Sequence, residues 1–78
     1  MAIEILELLR RGLGVMYISD LKRIKHSDTM KEICRPIIRN IPTTDYSVSD
    51  WADVYNYLTG KKIEGSAEEI KNELMVEI

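Results

Sequence analysis

VMYISDLKRIKH, residues Val15 to His26, separates an all-helical chain from a mixed one. Tyr17, Leu21 and Ile24 recur at i, i+4 and i+7, the spacing that lines up one face of an α-helix. The opening VMYI also has good strand propensity. A short strand near Val15–Ile18, and with it an α+β fold, is therefore the competing expectation. Ser19 offers a cap for a shorter helix beginning at Asp20. The helix is favoured, and the rest of the chain agrees with it.

Upstream, AIEILELLRR predicts a first helix. Glu4, Glu7 and Arg11 form one narrow polar stripe, and most other positions are apolar. So wide an apolar arc predicts a helix buried on more than one side. Glu7 and Arg11 sit at i and i+4 in the favoured orientation for an ion pair. Gly12 and Gly14 then punctuate the chain.

Downstream, the apolar register fails after Ile24, because positions 27, 28 and 31 are Ser, Asp and Lys. Thr29, the last residue of the break HSDT, and Glu32 fit a capping box opening a third helix. Cys34, Ile37, Ile38 and Ile41 form its apolar stripe. Pro36 lies inside it, removes one backbone donor and crowds the Glu32 carbonyl, so a kink or a restart is expected there. Pro42 pushes Ile41 out of the α region. NIPTTDYSVSD then reads as a polar connection, with Ser47 or Ser49 as the next cap. Trp51, Val54, Tyr55 and Leu58 are the apolar stripe of a fourth helix, with Gly60 at its end. Ser66 and Glu69 make a second capping box, for a fifth helix that buries Ala67, Ile70, Leu74 and Ile78.

These elements predict an all-α fold: a small compact bundle of four to five short helices in one domain over residues 1–78. A core this small is marginal and is often reinforced by disulfides, metals or self-association. The single cysteine, Cys34, cannot form a disulfide within one chain. One Cys and one His (His26) cannot close a zinc site, so no metal or cofactor is expected. No basic leader opens the sequence, which begins with Glu4 and Glu7 among apolar residues. No apolar run approaches the ~20 residues of a membrane span. A cytoplasmic location without membrane contact is the expectation.

Catalytic motifs fail on spacing. Four residues separate Cys34 from Arg39, one short of the cysteine-phosphatase loop, and no glycine opens the stretch. Gly12-x-Gly14-x-x-Tyr17 lacks the third glycine of a dinucleotide loop. Lys62 stands where a P-loop needs Ser or Thr for magnesium. Cys34 reads as a small buried hydrophobe. His26 lies in a polar break, where solvation or capping is the ordinary role. No enzyme is expected.

Charge is the remaining information. Residues 1–41 carry 8 Lys+Arg and 5 Asp+Glu, a balance of +3. Residues 42–78 carry 3 and 8, a balance of −5, and together they give the net −2. Lys31, Arg35 and Arg39 form a basic stripe at i, i+4, i+8, and Glu69, Glu73 and Glu77 form an acidic one. Each is a candidate interaction face, and if their helices packed side by side the two stripes could also face each other. The ordinary reading is two solvated helix flanks.

The leading functional expectation is a small, non-catalytic protein–protein interaction or regulatory module. Homodimerisation would run through the over-apolar first helix at Ile5, Leu8 and Leu9. The alternative is a DNA-binding protein of helix-turn-helix type, with Lys22, Arg23, Lys25, Lys31, Arg35 and Arg39 on phosphates. A pI near 5.3, a turn without glycine and Pro36 all weigh against it. A third reading, ranked below both, makes the acidic stripe a nucleic-acid mimic.

Overall fold

A computed structural model describes residues 3–78. Its elements run in the order α1 (Ile3–Leu13), a 3-10 segment (Ile18–His26), α2 (Asp28–Arg39), a 3-10 turn (Thr43–Asp45), α3 (Val48–Thr59) and α4 (Ala67–Glu77). No strand occurs among the described residues, so the all-α expectation holds and the alternative strand at Val15–Ile18 is overturned.

The deciding segment is helical, but not with the expected period. Its turns close from Asp20 N–H to the Tyr17 carbonyl and from Ser27 N–H to the Ile24 carbonyl, each 3.1 Å and three residues apart. A 3-10 helix has three residues per turn, so Ile18, Leu21 and Ile24 align along one side. Leu21 and Ile24 are fully buried and Ile18 is half-buried. Tyr17, expected to share their face, points to solvent instead. At spacing three the sequence also aligns Ser19, Lys22 and Lys25, and this second side is exposed.

Ser27 ends that segment with extended backbone and caps α2, its hydroxyl accepting from Met30 N–H at 3.3 Å. The expected capping box at Thr29 and Glu32 is therefore displaced, because α2 begins before Thr29. The helix then runs through Pro36 without a restart. The lost donor falls near the end of the helix, where Pro36 sits in solvent. Beyond it, Asn40 N–H reaches the Pro36 carbonyl at 3.2 Å.

The later elements follow the sequence closely. Ser47 and Asp50 close a reciprocal capping box on α3, as do Ser66 and Glu69 on α4. Gly60 takes φ +77, the left-handed conformation that stops α3. Trp51, Val54, Tyr55 and Leu58 are all buried, as are Ile70, Leu74 and Ile78, while Ala67, expected with them, is only half-buried at the start of α4.

One core joins Ile5, Leu6 and Leu9 to Leu21, Ile24, Cys34, Ile38 and the stripes of α3 and α4. No polar or charged residue is buried among the described residues. The radius of gyration is 11.1 Å, near the ~11.5 Å expected of a folded domain this long. α1 packs on α2 and the first 3-10 segment, while α3 packs on α4 and that same segment. The 3-10 segment is thus the wedge between two helix pairs. No helix of the described residues is long and apolar enough to cross a membrane.

Candidate functional site

α1 is where the fold departs most from its expected burial. Ile5, Leu6 and Leu9 enter the core, but Ile3 and Leu8 remain 56% and 43% exposed. Burial on more than one side is therefore corrected, because α2 and the 3-10 segment cover only one flank. Of the three residues expected to self-associate, Ile5 and Leu9 are spent on the chain's own core and Leu8 alone reaches solvent.

Leu8 lies in a shallow groove of about 340 Å³ lined by Ile3, Glu4, Glu7, Leu8, Arg11 and Tyr46. The far wall is Tyr46, just before α3, whose ring meets Trp51 edge-on at 6.3 Å. Trp51 is itself held by its indole N–H donating to the Thr43 carbonyl at 3.3 Å. Desolvation and the nearby Glu4 carboxylate both push the Tyr46 phenol above its ordinary pKa. Tyr46 was hidden in sequence by its polar surroundings. Its only signal was an aromatic alone in a run of Ser, Thr and Asp, close to a tryptophan.

The rim of the groove is charged. Arg10 holds Glu7 with two bonds, Nε to Oε2 at 3.0 Å and Nη2 to Oε1 at 2.5 Å. Those bonds lower the Glu7 pKa and raise that of Arg10. Arg11 reaches the same carboxylate only at 3.4 Å and its side chain is 70% exposed. The expected Glu7–Arg11 pair thus exists, but Arg10 takes the stronger share.

A second apolar feature follows α1. Gly14 turns the chain at φ +70, and Arg10 Nη1 donates to the Val15 carbonyl at 3.1 Å. Tyr17 N–H donates to Asp20 Oδ2 at 3.3 Å. Between these anchors Met16 and Tyr17 stand in solvent.

The two charge stripes do not meet. Lys31 and Arg35 are half-buried flanks of α2 and Arg39 is exposed. No ion pair joins any of them to Glu69, Glu73 or Glu77 among the described residues. The reason is the roll of α4. Its flank toward α2 carries Lys71, whose ammonium donates to the carbonyls of Arg39 at 3.0 Å and Ile41 at 2.6 Å. The acidic flank turns the other way, and Glu77 accepts from Lys61 at 3.1 Å. That bond raises the Lys61 pKa. Glu69 serves its own capping box.

The outward face of α2 carries Thr29, Glu32, Ile33 and Pro36, with Asn40 as its C-cap, all exposed. Lys22 lies over the Tyr57 ring at 5.0 Å, and with Lys25, Asn56 and Gly60 it lines a polar cleft. Among the described residues no three His, Cys, Asp or Glu side chains converge on a metal-sized position. Cys34 is fully buried, and burial pushes its thiol up to about 11. No protein-family model, curated protein or solved structure matches the chain.

Proposed function

We propose that the chain is a small non-catalytic protein–protein interaction module that docks through the outer side of α1. The observation that carries this reading is the groove between α1 and Tyr46. Single exposed apolar residues such as Val76 are ordinary on any surface. Ile3, Leu8 and Tyr46 differ because they share one depression with a charged rim, the layout of an interaction patch. A thiol held neutral by burial is a poor nucleophile, which adds no support to catalysis at Cys34. DNA binding draws less support than docking. The middle of the outward side of α2 offers an acid, an isoleucine and a proline, and its donors for base edges, Thr29 and Asn40, stand only at the two ends. A lone free cysteine is consistent with a cytoplasmic setting.

Photocrosslinking in the source cells tests the docking face. A photoreactive residue at position 8 should give adducts heavier than the chain. The same residue at 33 or 76, two other exposed apolar positions, should give none. Absence of adducts from position 8 overturns the assignment whatever the other positions yield.

A further inference from the structure

We infer that the occupant of the α1 groove is the α1 helix of a second copy, laid antiparallel across a two-fold axis near Leu8. The inference rests on the docking reading above and names the partner at that face. Glu4, Leu8 and Arg11 are spaced i, i+4 and i+7, so they share one side of α1, and all three line the groove. The face therefore reads acid, apolar, base along the helix. That order is self-complementary only in the antiparallel sense. Around a two-fold axis Leu8 meets its symmetry mate, and each Glu4 lies opposite the Arg11 of the other copy. A parallel arrangement would set Glu4 against Glu4 and Arg11 against Arg11.

Within the chain Glu4 already faces Tyr46, whose phenol is hydrogen-bonded to it, so an Arg11 from a second copy would add to that contact on the same carboxylate. Arg10 occupies both Glu7 oxygens, while Arg11 touches Glu7 only at 3.4 Å and keeps a largely exposed guanidinium. Ile3 and Tyr46 flank the groove and extend the apolar contact on each side of the axis. Isologous contacts of this kind require each patch to match itself, and this one does. The helix has 11 residues and is only ~16 Å long, so the buried area falls short of the ~1,200 Å² of a standard interface. The expected dimer is weak and reversible, with a dissociation constant on the order of 100 µM, and it loosens as salt screens the ion pairs.

Sedimentation equilibrium of the purified chain up to roughly 1 mM tests the inference, with the dissociation constant on the scale given above. The wild type should pass from monomer to dimer over that range. Leu8→Lys, Glu4→Arg and Arg11→Glu should each weaken association by about tenfold or more, a loss of ~1.4 kcal/mol. Mixing Glu4→Arg with Arg11→Glu should restore dimers, because the mixed pair regains both attractions. Circular dichroism of each variant checks that the fold is kept, and rescue by mixing excludes misfolding as the cause of loss. A wild type that stays monomeric throughout overturns self-pairing. So does a dimer indifferent to these substitutions, or a mixture that fails to recover. Heavier adducts from position 8 that contain a different protein would preserve the docking face while removing the second copy from it.

Discussion

Gly12 of α1 and Ile37 of α2 stand so close that a Cβ on Gly12 would overlap Ile37 Cδ1. This approach is part of the α1–α2 pairing, which leaves the Leu8 side of α1 outside. Two effects oppose each other at Gly12. Alanine favours the helix by ~1 kcal/mol over glycine, but its methyl group must displace the end of Ile37. Gly12→Ala alone should therefore be neutral or slightly destabilising. In an Ile37→Val background, which lacks that methyl, the same change should stabilise by about 0.5–1 kcal/mol. Urea unfolding of the four proteins in this cycle measures the coupling, and strict additivity would refute the contact.

The start of α2 gives a prediction that separates structure from sequence pattern. Ser27→Ala removes the hydroxyl that accepts from Met30 N–H and should cost about 1 kcal/mol. Thr29→Ala, at the position that the sequence pattern favours as the cap, should change stability by less than ~0.5 kcal/mol. Thermal unfolding of both variants decides the point, and the reverse order would move the helix start to Thr29.

That contrast shows where the sequence was legible. α3 and α4 were the most readable, because cap and apolar stripe coincide in each. Gly60 also marks the end of α3, whose cap the sequence narrows to Ser47 or Ser49, and Ser66 with Glu69 marks the start of α4. α2 was readable as a helix but not at its start, since Ser27 and Thr29 both carry capping hydroxyls. The segment Ile18–His26 was readable as helical but not as 3-10. Leu21 and Ile24 fit either period, and only the choice between Tyr17 and Ile18 as their partner distinguishes them. The groove was half legible. Leu8 stood out with Ile5 and Leu9, but which of the three faces outward depends on how α1 packs against α2 and the 3-10 segment. Tyr46 comes from 35 residues beyond Arg11 and no local pattern joins them. Whether the two charge stripes meet was left open by the sequence for a similar reason. Lys71 sets the roll of α4 through bonds to backbone carbonyls, and carbonyls leave no trace in side-chain periodicity.

Lys71 therefore carries a prediction of its own. Its ammonium satisfies the carbonyls of Arg39 and Ile41 at the negative end of α2 and lies 6.0 Å from the Trp51 ring centre. Lys71→Met keeps the aliphatic stem and removes the charged donor. It should cost about 1–2 kcal/mol, a drop in Tm of roughly 4–15 °C for a domain of this length. Lys61→Met, which breaks the exposed pair with Glu77, should lower Tm by less. Equal losses from the two substitutions would remove Lys71 from its role at the α2 terminus.

Cys34 links burial to pH. The folded chain holds its thiol near 11, while the ordinary value is 9.0. Between those values the unfolded chain has lost the proton and the folded chain keeps it. Unfolding then releases a proton, so stability falls as pH rises. The contribution is intact below pH 9 and disappears progressively toward pH 11, amounting to about 2–3 kcal/mol at the upper end. Other groups titrate in the same range, so the comparison is with Cys34→Ala. The difference in unfolding free energy between wild type and variant should be flat from pH 6 to 8.5 and should then move against the wild type. A difference that stays flat to pH 11 would mean that the thiol meets water in the folded chain. Reaction with a thiol reagent at pH 8 supplies an independent reading. Native protein should label far more slowly than protein in urea, because the sulfur is exposed only when the helices around it open.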